Sequence, residues 1–248
     1  MKTYKYRYGS QRDLDTLFSD QLFAPNSSKL NDPCEAMLDI DQLNIIIENM
    51  TKTYKGNDDL HKSFKSFIKS TKNLGIYSLS KISTDELLWA YYADSHSGFC
   101  IEYDLNALIS TSSVNIYKHD EVKYKSLVPQ LNLNDITNGD LSEKICFIKS
   151  RRWKHEEEYR IAYNQSGKVD YDFKAIKAIF FGINMPKQLT DDLIKREKIS
   201  QDCIMKALQG RGISYYQMKV NNNSYQLCYQ EIEDKYPTDK KYKHEIKY

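Results

Sequence analysis

A charged segment that runs directly into an apolar strand is the strongest constraint on this chain. Residues 153–160 read Trp-Lys-His-Glu-Glu-Glu-Tyr-Arg, and the apolar residues 161–163 follow them. Because side chains alternate along a strand, we expect Glu156, Glu158 and Arg160 to share one face. Two carboxylates and a guanidinium on one face are costly to bury unless a ligand or ion pairing compensates them. The segment therefore predicts either a site for polar or cationic ligands or a solvated acidic turn with a structural Glu–Arg pair.

Length and composition predict a soluble, cytoplasmic protein. The chain of 248 residues contains 36 Lys or Arg and 34 Asp or Glu, and this near balance gives no argument for bulk nucleic-acid binding. The five cysteines form no Cys-x-x-Cys pair and the five histidines form no His-Glu-x-x-His motif, so no metal site is expected. No apolar run in the sequence is long enough to span a bilayer, so no membrane partner is expected.

Hydrophobic periodicity and turn residues predict an α+β fold with a mixed, largely antiparallel sheet and an early helical insertion at about residues 35–72. Strands are expected at 3–8, 21–24, 75–80, 98–103, 157–163, 175–182, 213–219 and 225–231, with weaker candidates at 113–118 and 121–125. Helices are expected at 13–20, 35–50, 58–72, 85–93, 141–151, 187–195 and 199–208. We expect a single domain over residues 1–234 and a flexible charged tail over 235–248.

Two strands carry polar side chains that need partners. Ser78 and Ser80 alternate with Tyr77 in a buried strand, so both hydroxyls should point the same way. Arg7 lies in the first strand, where a buried guanidinium is expected to meet a carboxylate or a phosphate. Glu102 or Glu158 would be a purely structural partner for it.

The segment 88–103 joins a predicted helix to a predicted strand through a polar turn. Trp89, Tyr92 and His96 are spaced i, i+3 and i+7, and we expect them to line one side of the helix end. They either form an aromatic pocket wall, with His96 donating a hydrogen bond to a ligand, or serve as core and turn residues.

Four blocks of the sequence, taken in order, resemble a widespread bacterial domain of unknown function. The blocks are Tyr4-Lys5-Tyr6-Arg7, Asn31-Asp32-Pro33, the segment 88–103 and Trp153-x-x-Glu156-x-Glu158-Tyr159-Arg160. The resemblance extends from the first strand to about residue 230. Members of this family tend to accompany phage-defence and toxin–antitoxin genes. The resemblance therefore implies a toxin or effector in anti-phage defence, with a neutralising antitoxin protein as a candidate partner.

An Arg on the first strand, a Ser-x-Ser strand and a late Glu-x-Glu strand also resemble the Arg–Ser–Glu signature of ADP-ribosyltransferases. This resemblance implies an ADP-ribosyltransferase-like fold and NAD as co-substrate. Under it, Glu158 is the catalytic acid that stabilises an oxocarbenium-like ribose, and Glu156 orients or deprotonates the target nucleophile. The residues that it assigns to NAD binding are Arg7, Ser78, Ser80, Tyr77, Trp89, Tyr92, His96 and Arg160.

The sequence departs from that signature in two respects, because a long gap with two predicted helices separates Arg7 from the Ser-x-Ser strand and Ser80 is not followed by the usual compact pattern. The leading prediction is nevertheless an NAD-dependent ADP-ribosyltransferase that modifies RNA, DNA or protein. One alternative is a metal-dependent nuclease using Glu156, Glu158 and Glu102, which the nearby Arg160 disfavours. The other is a noncatalytic sensor or partner-binding module in which the acids only form ion pairs.

Overall fold

A computed structural model describes residues 1–30, 73–130 and 141–237, together with isolated positions between 31 and 72. The described residues form a mixed α+β fold with mostly antiparallel strand pairing. The strands are β1 (Lys2–Arg7), β2 (Gln21–Ala24), β3 (Gly75–Ser80), β4 (Phe99–Asp104), β5 (Ile116–Glu121), β6 (Lys123–Lys125), β7 (Ile148–Ser150), β8 (Glu158–Tyr163), β9 (Gly167–Asp170), β10 (Ile176–Phe181), β11 (Ser214–Val220) and β12 (Leu227–Ile232). The α-helices are α1 (Gln11–Phe18), α2 (Glu86–Tyr92), α3 (Leu105–Thr111), α4 (Leu141–Cys146), α5 (Asp191–Lys195) and α6 (Gln201–Ala207). Short 3-10 helices cover Ser27–Lys29, Arg151–Glu156 and Phe173–Ala175.

The chain divides into two compact units, and neither unit is one continuous stretch of sequence. The first unit comprises Met1–Leu22, Leu79–Ser113 and Val169–Tyr248. The second comprises Phe23–Ser78 and Val114–Lys168. The chain therefore passes from one unit to the other within β2, β3 and β9, and between α3 and β5.

The sheet of the first unit has the strand order β12-β11-β10-β4-β1, and the end of β3 pairs with β1 at Tyr4↔Ser80. The strands β1 and β4 pair antiparallel along their full length, from Lys2↔Asp104 to Arg7↔Phe99. β10 and β11 are parallel, because the helices α5 and α6 form the crossover connection that a parallel pair requires. β4 lies inside this sheet and is buried from Phe99 to Tyr103, a stretch that is apolar apart from Glu102.

The helix α2 covers part of that sheet through its buried residues Leu88 and Trp89. The Trp89 indole donates to the carbonyl of Ser83 at 2.8 Å. Its ring packs edge-on against the ring of Tyr6, with 5.3 Å between the ring centroids. The helix is capped by Asp85, whose carboxylate accepts from the Leu88 amide at 2.8 Å. The aromatic core therefore fixes the helix that leads into the turn before β4.

A capping box explains why α1 begins earlier than the predicted residue 13. The Asp13 amide donates to the Ser10 hydroxyl at 3.3 Å, and the Ser10 amide donates to the Asp13 carboxylate at 3.0 Å. This reciprocal pair satisfies two amides at the helix start. The sequence pattern Ser-x-x-Asp was the signal for it.

The sheet of the second unit has the strand order β3-β8-β5. β8 and β5 are antiparallel, with Glu121 opposite Tyr159. Every residue of β8 is buried, so both faces of this strand are covered. β6 and β7 form a separate two-stranded parallel sheet, with pairing from Lys123↔Ile148 to Lys125↔Ser150.

The α+β class and the largely antiparallel sheet are confirmed, and most described elements lie within a few residues of their predicted bounds. The predicted helix over 141–151 is wrong in its second half, where β7 follows α4. α3 and β9 were not predicted. The predicted helices at 35–50 and 58–72, and most of the predicted tail, lie outside the described residues. The single domain over 1–234 and the ADP-ribosyltransferase-like fold stay predictions.

None of the helices in the described ranges combines the length and apolar character that crossing a membrane requires.

Two glycines of the first unit lie where a side chain has no room. A methyl group on Gly98 would overlap the carbonyl oxygen of Arg7, and one on Gly182 would overlap that of His96. Because backbone atoms cannot swing aside as a flexible side chain does, we expect Gly98→Ala and Gly182→Ala each to lower the free energy of unfolding by about 2–3 kcal/mol. Urea denaturation measures this loss.

Gly212→Ala is the matched control. Gly212 has φ of +68° but faces open space, so the methyl group adds only left-handed backbone strain of about 1–2 kcal/mol. A loss in Gly212→Ala as large as that in Gly98→Ala would contradict the steric explanation.

Candidate functional site

Four charged side chains form a buried charge cluster in the second unit, at the start of β8. Lys149 Nζ lies 2.6 Å from Glu156 Oε2 and 3.1 Å from Glu158 Oε2. Arg160 donates to Glu158 from Nε, at 2.7 Å to Oε1, and from Nη2, at 3.0 Å to Oε2. None of the four residues exposes more than 7% of its surface. The cluster therefore consists of two carboxylates and two cations in direct contact and shielded from water.

A turn between two strands brings the cluster together. Lys149 is the inward-facing residue of β7, whose burial alternates along its three positions. The 3-10 helix that follows ends at Glu156, and Glu157 then takes a left-handed conformation with φ of 40°. This reversal turns Glu157 out to solvent and lets β8 begin at Glu158. Glu156 is thus buried beside Glu158, as predicted, but by a turn and not by strand alternation.

Glu158 is held through its backbone as well as its side chain. Its amide donates to the Tyr124 hydroxyl at 2.9 Å, and its carbonyl accepts from the Val122 amide at 2.9 Å. The Ser78 hydroxyl of β3 hydrogen-bonds its carboxylate. Because these contacts come from two separate segments, residues 122–124 and β3, the position of Glu158 depends on how distant parts of the unit pack together.

Electrostatics keep Glu158 ionised. Burial raises the pKa of its carboxyl group, but the nearby charges of Arg160 and Lys149, with hydrogen bonds from Arg160 and Ser78, outweigh burial and lower the pKa to about 2. Burial also raises the pKa of the Tyr124 hydroxyl to about 12, so it stays protonated. The site therefore presents a carboxylate and a neutral phenol at any physiological pH.

The cluster is balanced in charge, with Lys149 and Arg160 opposite Glu156 and Glu158. A buried ion pair gains little net stability because desolvation offsets its Coulomb energy, whereas removing one partner leaves a costly uncompensated charge. Arg160 also donates from Nη1 to the carbonyl of Cys146 at 2.7 Å, which ties α4 to the cluster. Removing any one of the four charged side chains is therefore expected to lower the stability of the protein, whether or not the cluster has a chemical role.

Of the predicted site residues, the structure brings Ser78, Glu156, Glu158 and Arg160 into one network. Tyr77 belongs to the same unit but is only 1% exposed, so its ring is enclosed in the core. The remaining predicted residues belong to the first unit: Arg7, Ser80, Trp89, Tyr92 and His96.

Arg7 and Ser80 have partners within the first unit. Arg7 Nη1 lies 3.7 Å from the Asp13 carboxylate, a contact that was not predicted. The Ser80 hydroxyl accepts from the Ile82 amide at 3.0 Å. Glu102 is contacted by Lys2 at 2.9 Å and by the Tyr4 hydroxyl at 3.2 Å. The predicted meeting of Arg7 with Glu158 stays a prediction.

The predicted alignment of Trp89, Tyr92 and His96 along one helix side is wrong. α2 ends at Tyr92, and the next turn has three successive residues with positive φ, of 49°, 50° and 67°, at Asp94, Ser95 and His96. This left-handed turn takes His96 off the helix face. Trp89 is 0% exposed and offers no surface on which a ligand ring can stack.

His96 keeps the features of a polar turn residue. Its carbonyl accepts from the Asn184 amide at 2.9 Å. Its ring atom Nδ1 is buried and has no hydrogen-bond partner in the described parts of the chain. Burial lowers the pKa of the imidazole, which favours the neutral ring.

Sequence reasoning missed Lys149 and Tyr124. The apolar residues of 141–151 matched a helical period, and that interpretation hid β7, in which Lys149 lies two residues after the buried Phe147. Both Phe147 and Lys149 are buried, so a strand reading of this segment would have placed the lysine inside. No sequence signal marked Tyr124, because its contact with Glu158 depends on how the fold brings β6 close to the start of β8.

The described residues contain no group of three or more His, Cys, Asp or Glu side chains arranged to hold a metal ion. The two acids of the cluster instead share the ammonium of Lys149.

Residues 88–161 match a family model described as a protein of unknown function, DUF2971. The matched stretch runs from α2 into β8 and contains all four residues of the buried charge cluster. A search of curated proteins and a search of solved structures each found no match. The predicted resemblance to a domain of unknown function is therefore confirmed for residues 88–161. Its extension to the rest of the chain, the phage-defence association and the resemblance to ADP-ribosyltransferases stay predictions.

Acid should destabilise the protein through Glu158. Because its pKa in the folded chain is about 2, against an ordinary value of 4.5, its contribution to stability is present above about pH 5 and is lost as the pH falls toward 2. The shift corresponds to about 3 kcal/mol. The difference in free energy of unfolding between the wild type and Glu158→Gln should therefore shrink by about this amount when the pH falls from 5 to 2. Urea denaturation of both proteins at each pH measures this difference.

Glu157→Gln is the control for this measurement, since Glu157 is exposed and adjacent in sequence. It should follow the pH dependence of the wild type. A Glu158→Gln variant with the same pH dependence as the wild type would show that this carboxyl group does not have the lowered pKa.

Proposed function

We propose that this protein is an NAD-dependent ADP-ribosyltransferase that transfers ADP-ribose to a macromolecule. The observation that carries the proposal is the joint burial of Glu156 and Glu158, with Ser78 hydrogen-bonded to the ionised Glu158 carboxylate. These contacts support one part of the Arg–Ser–Glu pattern, in which a serine side chain hydrogen-bonds the catalytic glutamate. NAD is the co-substrate in this proposal.

The proposed reaction breaks the bond between the nicotinamide nitrogen and the ribose, and nicotinamide leaves with the electron pair. Positive charge then builds on the ribose, and a preorganised carboxylate stabilises it most in the transition state. Glu158 has the properties for this role, since it is ionised, fixed by backbone contacts and largely removed from water. Low local polarity strengthens its attraction for a developing cation.

Lys149 allows Glu158 to exchange one cation for another. Its contact with Glu158, at 3.1 Å, is longer than its contact with Glu156, at 2.6 Å. In the proposed mechanism the ribose cation replaces Lys149 at Glu158, while Lys149 keeps Glu156 as its partner. The buried charge thus stays compensated throughout the reaction.

Glu156 is proposed to handle the target. A bond forms between the target nucleophile and the ribose carbon that nicotinamide has left, and the proton of the nucleophile passes to the Glu156 carboxylate. The separation of roles follows from the surroundings, because Glu158 has Arg160 and Ser78 as further partners while Glu156 is held by Lys149. A toxin or effector that acts on RNA, DNA or protein, and that an antitoxin protein neutralises, fits this activity.

A noncatalytic binding module is the second candidate, and the charge balance of the cluster favours it. Two carboxylates matched by two cations form a self-sufficient structural network that needs no ligand. The metal-dependent nuclease stays an untested alternative, with no observation in its favour.

Glu158→Gln distinguishes the two candidates. If the carboxylate stabilises the ribose cation, the variant should release nicotinamide from NAD at least about 100-fold more slowly than the wild type. The assay incubates purified protein with NAD labelled in the adenine ring and a cell extract, measures the released nicotinamide by chromatography, and then separates labelled protein from labelled nucleic acid. Circular dichroism establishes that the variant is folded.

Two further variants sharpen the assay. Glu157→Gln changes an exposed neighbour and should keep wild-type activity. Glu156→Gln should lose transfer to the target while still releasing nicotinamide to water. Full activity in a folded Glu158→Gln, or no NAD consumption by the wild type under any of these conditions, would favour the noncatalytic module.

A further inference from the structure

A surface cavity of about 430 Å³ lies in the second unit, next to the buried charge cluster. It is lined by Tyr124, Lys125, Ser126, Arg151 and Lys154. Tyr124 connects the cavity to the cluster, because its hydroxyl oxygen accepts from the Glu158 amide at 2.9 Å. The hydroxyl hydrogen of Tyr124 is not used in that bond and remains a donor. The residues that line this basic cavity are therefore cations and hydroxyl groups.

Positive charge is concentrated around the cavity although the whole chain is nearly neutral. Of the five residues that line the cavity, Lys125, Arg151 and Lys154 are cationic and none is acidic, whereas the net charge of the chain is +2. Lys125, Arg151 and Lys154 are exposed, and none of them pairs with a carboxylate in the described parts of the chain. Cations left without counterions around one opening attract a polyanion.

We infer that the basic cavity binds the phosphate backbone of a single-stranded nucleic acid, which makes nucleic acid the target class of the proposed transferase. A nucleic acid fits better than the diphosphate of NAD, because the three cations are long and exposed and are not a set of buried donors. Such side chains follow a repeating backbone of phosphates. The half-buried Tyr124, which lines the cavity, adds an aromatic ring on which a base can stack.

The position of the cavity links the bound strand to the proposed chemistry. Arg151 begins the 3-10 helix that ends at Glu156, and Lys154 lies two residues before that acid. A phosphate held by these two cations would lie on the 3-10 helix that ends at Glu156, which is proposed to take the proton of the target nucleophile. This inference rests on the proposed function only for that last step.

Binding of a fluorescein-labelled single-stranded oligonucleotide of mixed sequence, about 12 nucleotides long, tests the inference by fluorescence anisotropy. RNA and DNA versions of the probe form separate arms, which identify the preferred sugar. The test variant is Lys125→Gln/Arg151→Gln/Lys154→Gln, and the control is Lys168→Gln/Lys174→Gln/Lys177→Gln, which removes the same charge from exposed positions elsewhere. All six positions are on the surface, so both triple variants are expected to fold.

The test variant should bind the oligonucleotide about tenfold more weakly or worse at 0.1 M salt. Its plot of log affinity against log salt concentration should be shallower by about 2, since each phosphate contact on a single strand contributes about 0.7 to the slope. The control should bind as the wild type does. Equal binding by test variant and wild type, an equal loss in the control, or no binding of either probe by the wild type would overturn the inference.

Two additional measurements separate this inference from the proposed function. Isothermal titration with NAD should give the same affinity for the test variant and the wild type. A loss of NAD affinity with unchanged oligonucleotide binding would assign the cavity to the dinucleotide and overturn the inference. Glu158→Gln should bind the oligonucleotide as the wild type does. If the wild type binds the oligonucleotide through the cavity but consumes no NAD, the nucleic-acid site is upheld and the transferase proposal fails.

Discussion

The ammonium group of Lys149, shared between two buried carboxylates, is the interaction on which the second unit depends. Without it, Glu156 and Glu158 would bring two like charges into a region from which water is excluded, and one of them would have to take up a proton. Lys149 places a cation against both acids, and Arg160 places a second cation against Glu158. The strand β7, the turn after it and the start of β8 are arranged so that this contact can form.

The same arrangement sets the chemical character of the site. Burial alone would make Glu158 a weak acid, but its cationic neighbours reverse that effect and keep its carboxylate charged. A charged group that is fixed in place and screened from solvent acts on nearby ligands more strongly than one on the surface. The basic cavity differs from the buried charge cluster, since its cations are exposed and have no carboxylate partners in the described parts of the chain. One region thus combines a rigid internal charge network with an adaptable outer surface.

Much of this architecture was readable from local sequence patterns. Apolar runs and alternation predicted strands such as β4, β8 and β10, because burial of apolar side chains depends on local periodicity. The grouping of Ser78 with Glu158 followed from a signature of residue types. Lys149 was not predicted, since a strand of three residues is too short to outweigh a helical pattern that overlaps it. The left-handed conformation of Glu157 had no local signal at all, because ordinary residues adopt it only where the surrounding fold requires it.

The discontinuous course of the chain has a consequence for synthesis on the ribosome. In the first unit β1 pairs with β4 and β4 with β10, so contacts between distant residues dominate, which slows folding. All segments of the second unit have been translated by Lys168, and they emerge from the ribosome before β10, β11 and β12 do. A nascent chain at that stage can complete the unit that carries the charge cluster, but β4 still lacks its neighbour. Premature release there would leave an unpaired strand edge, which is a template for aggregation.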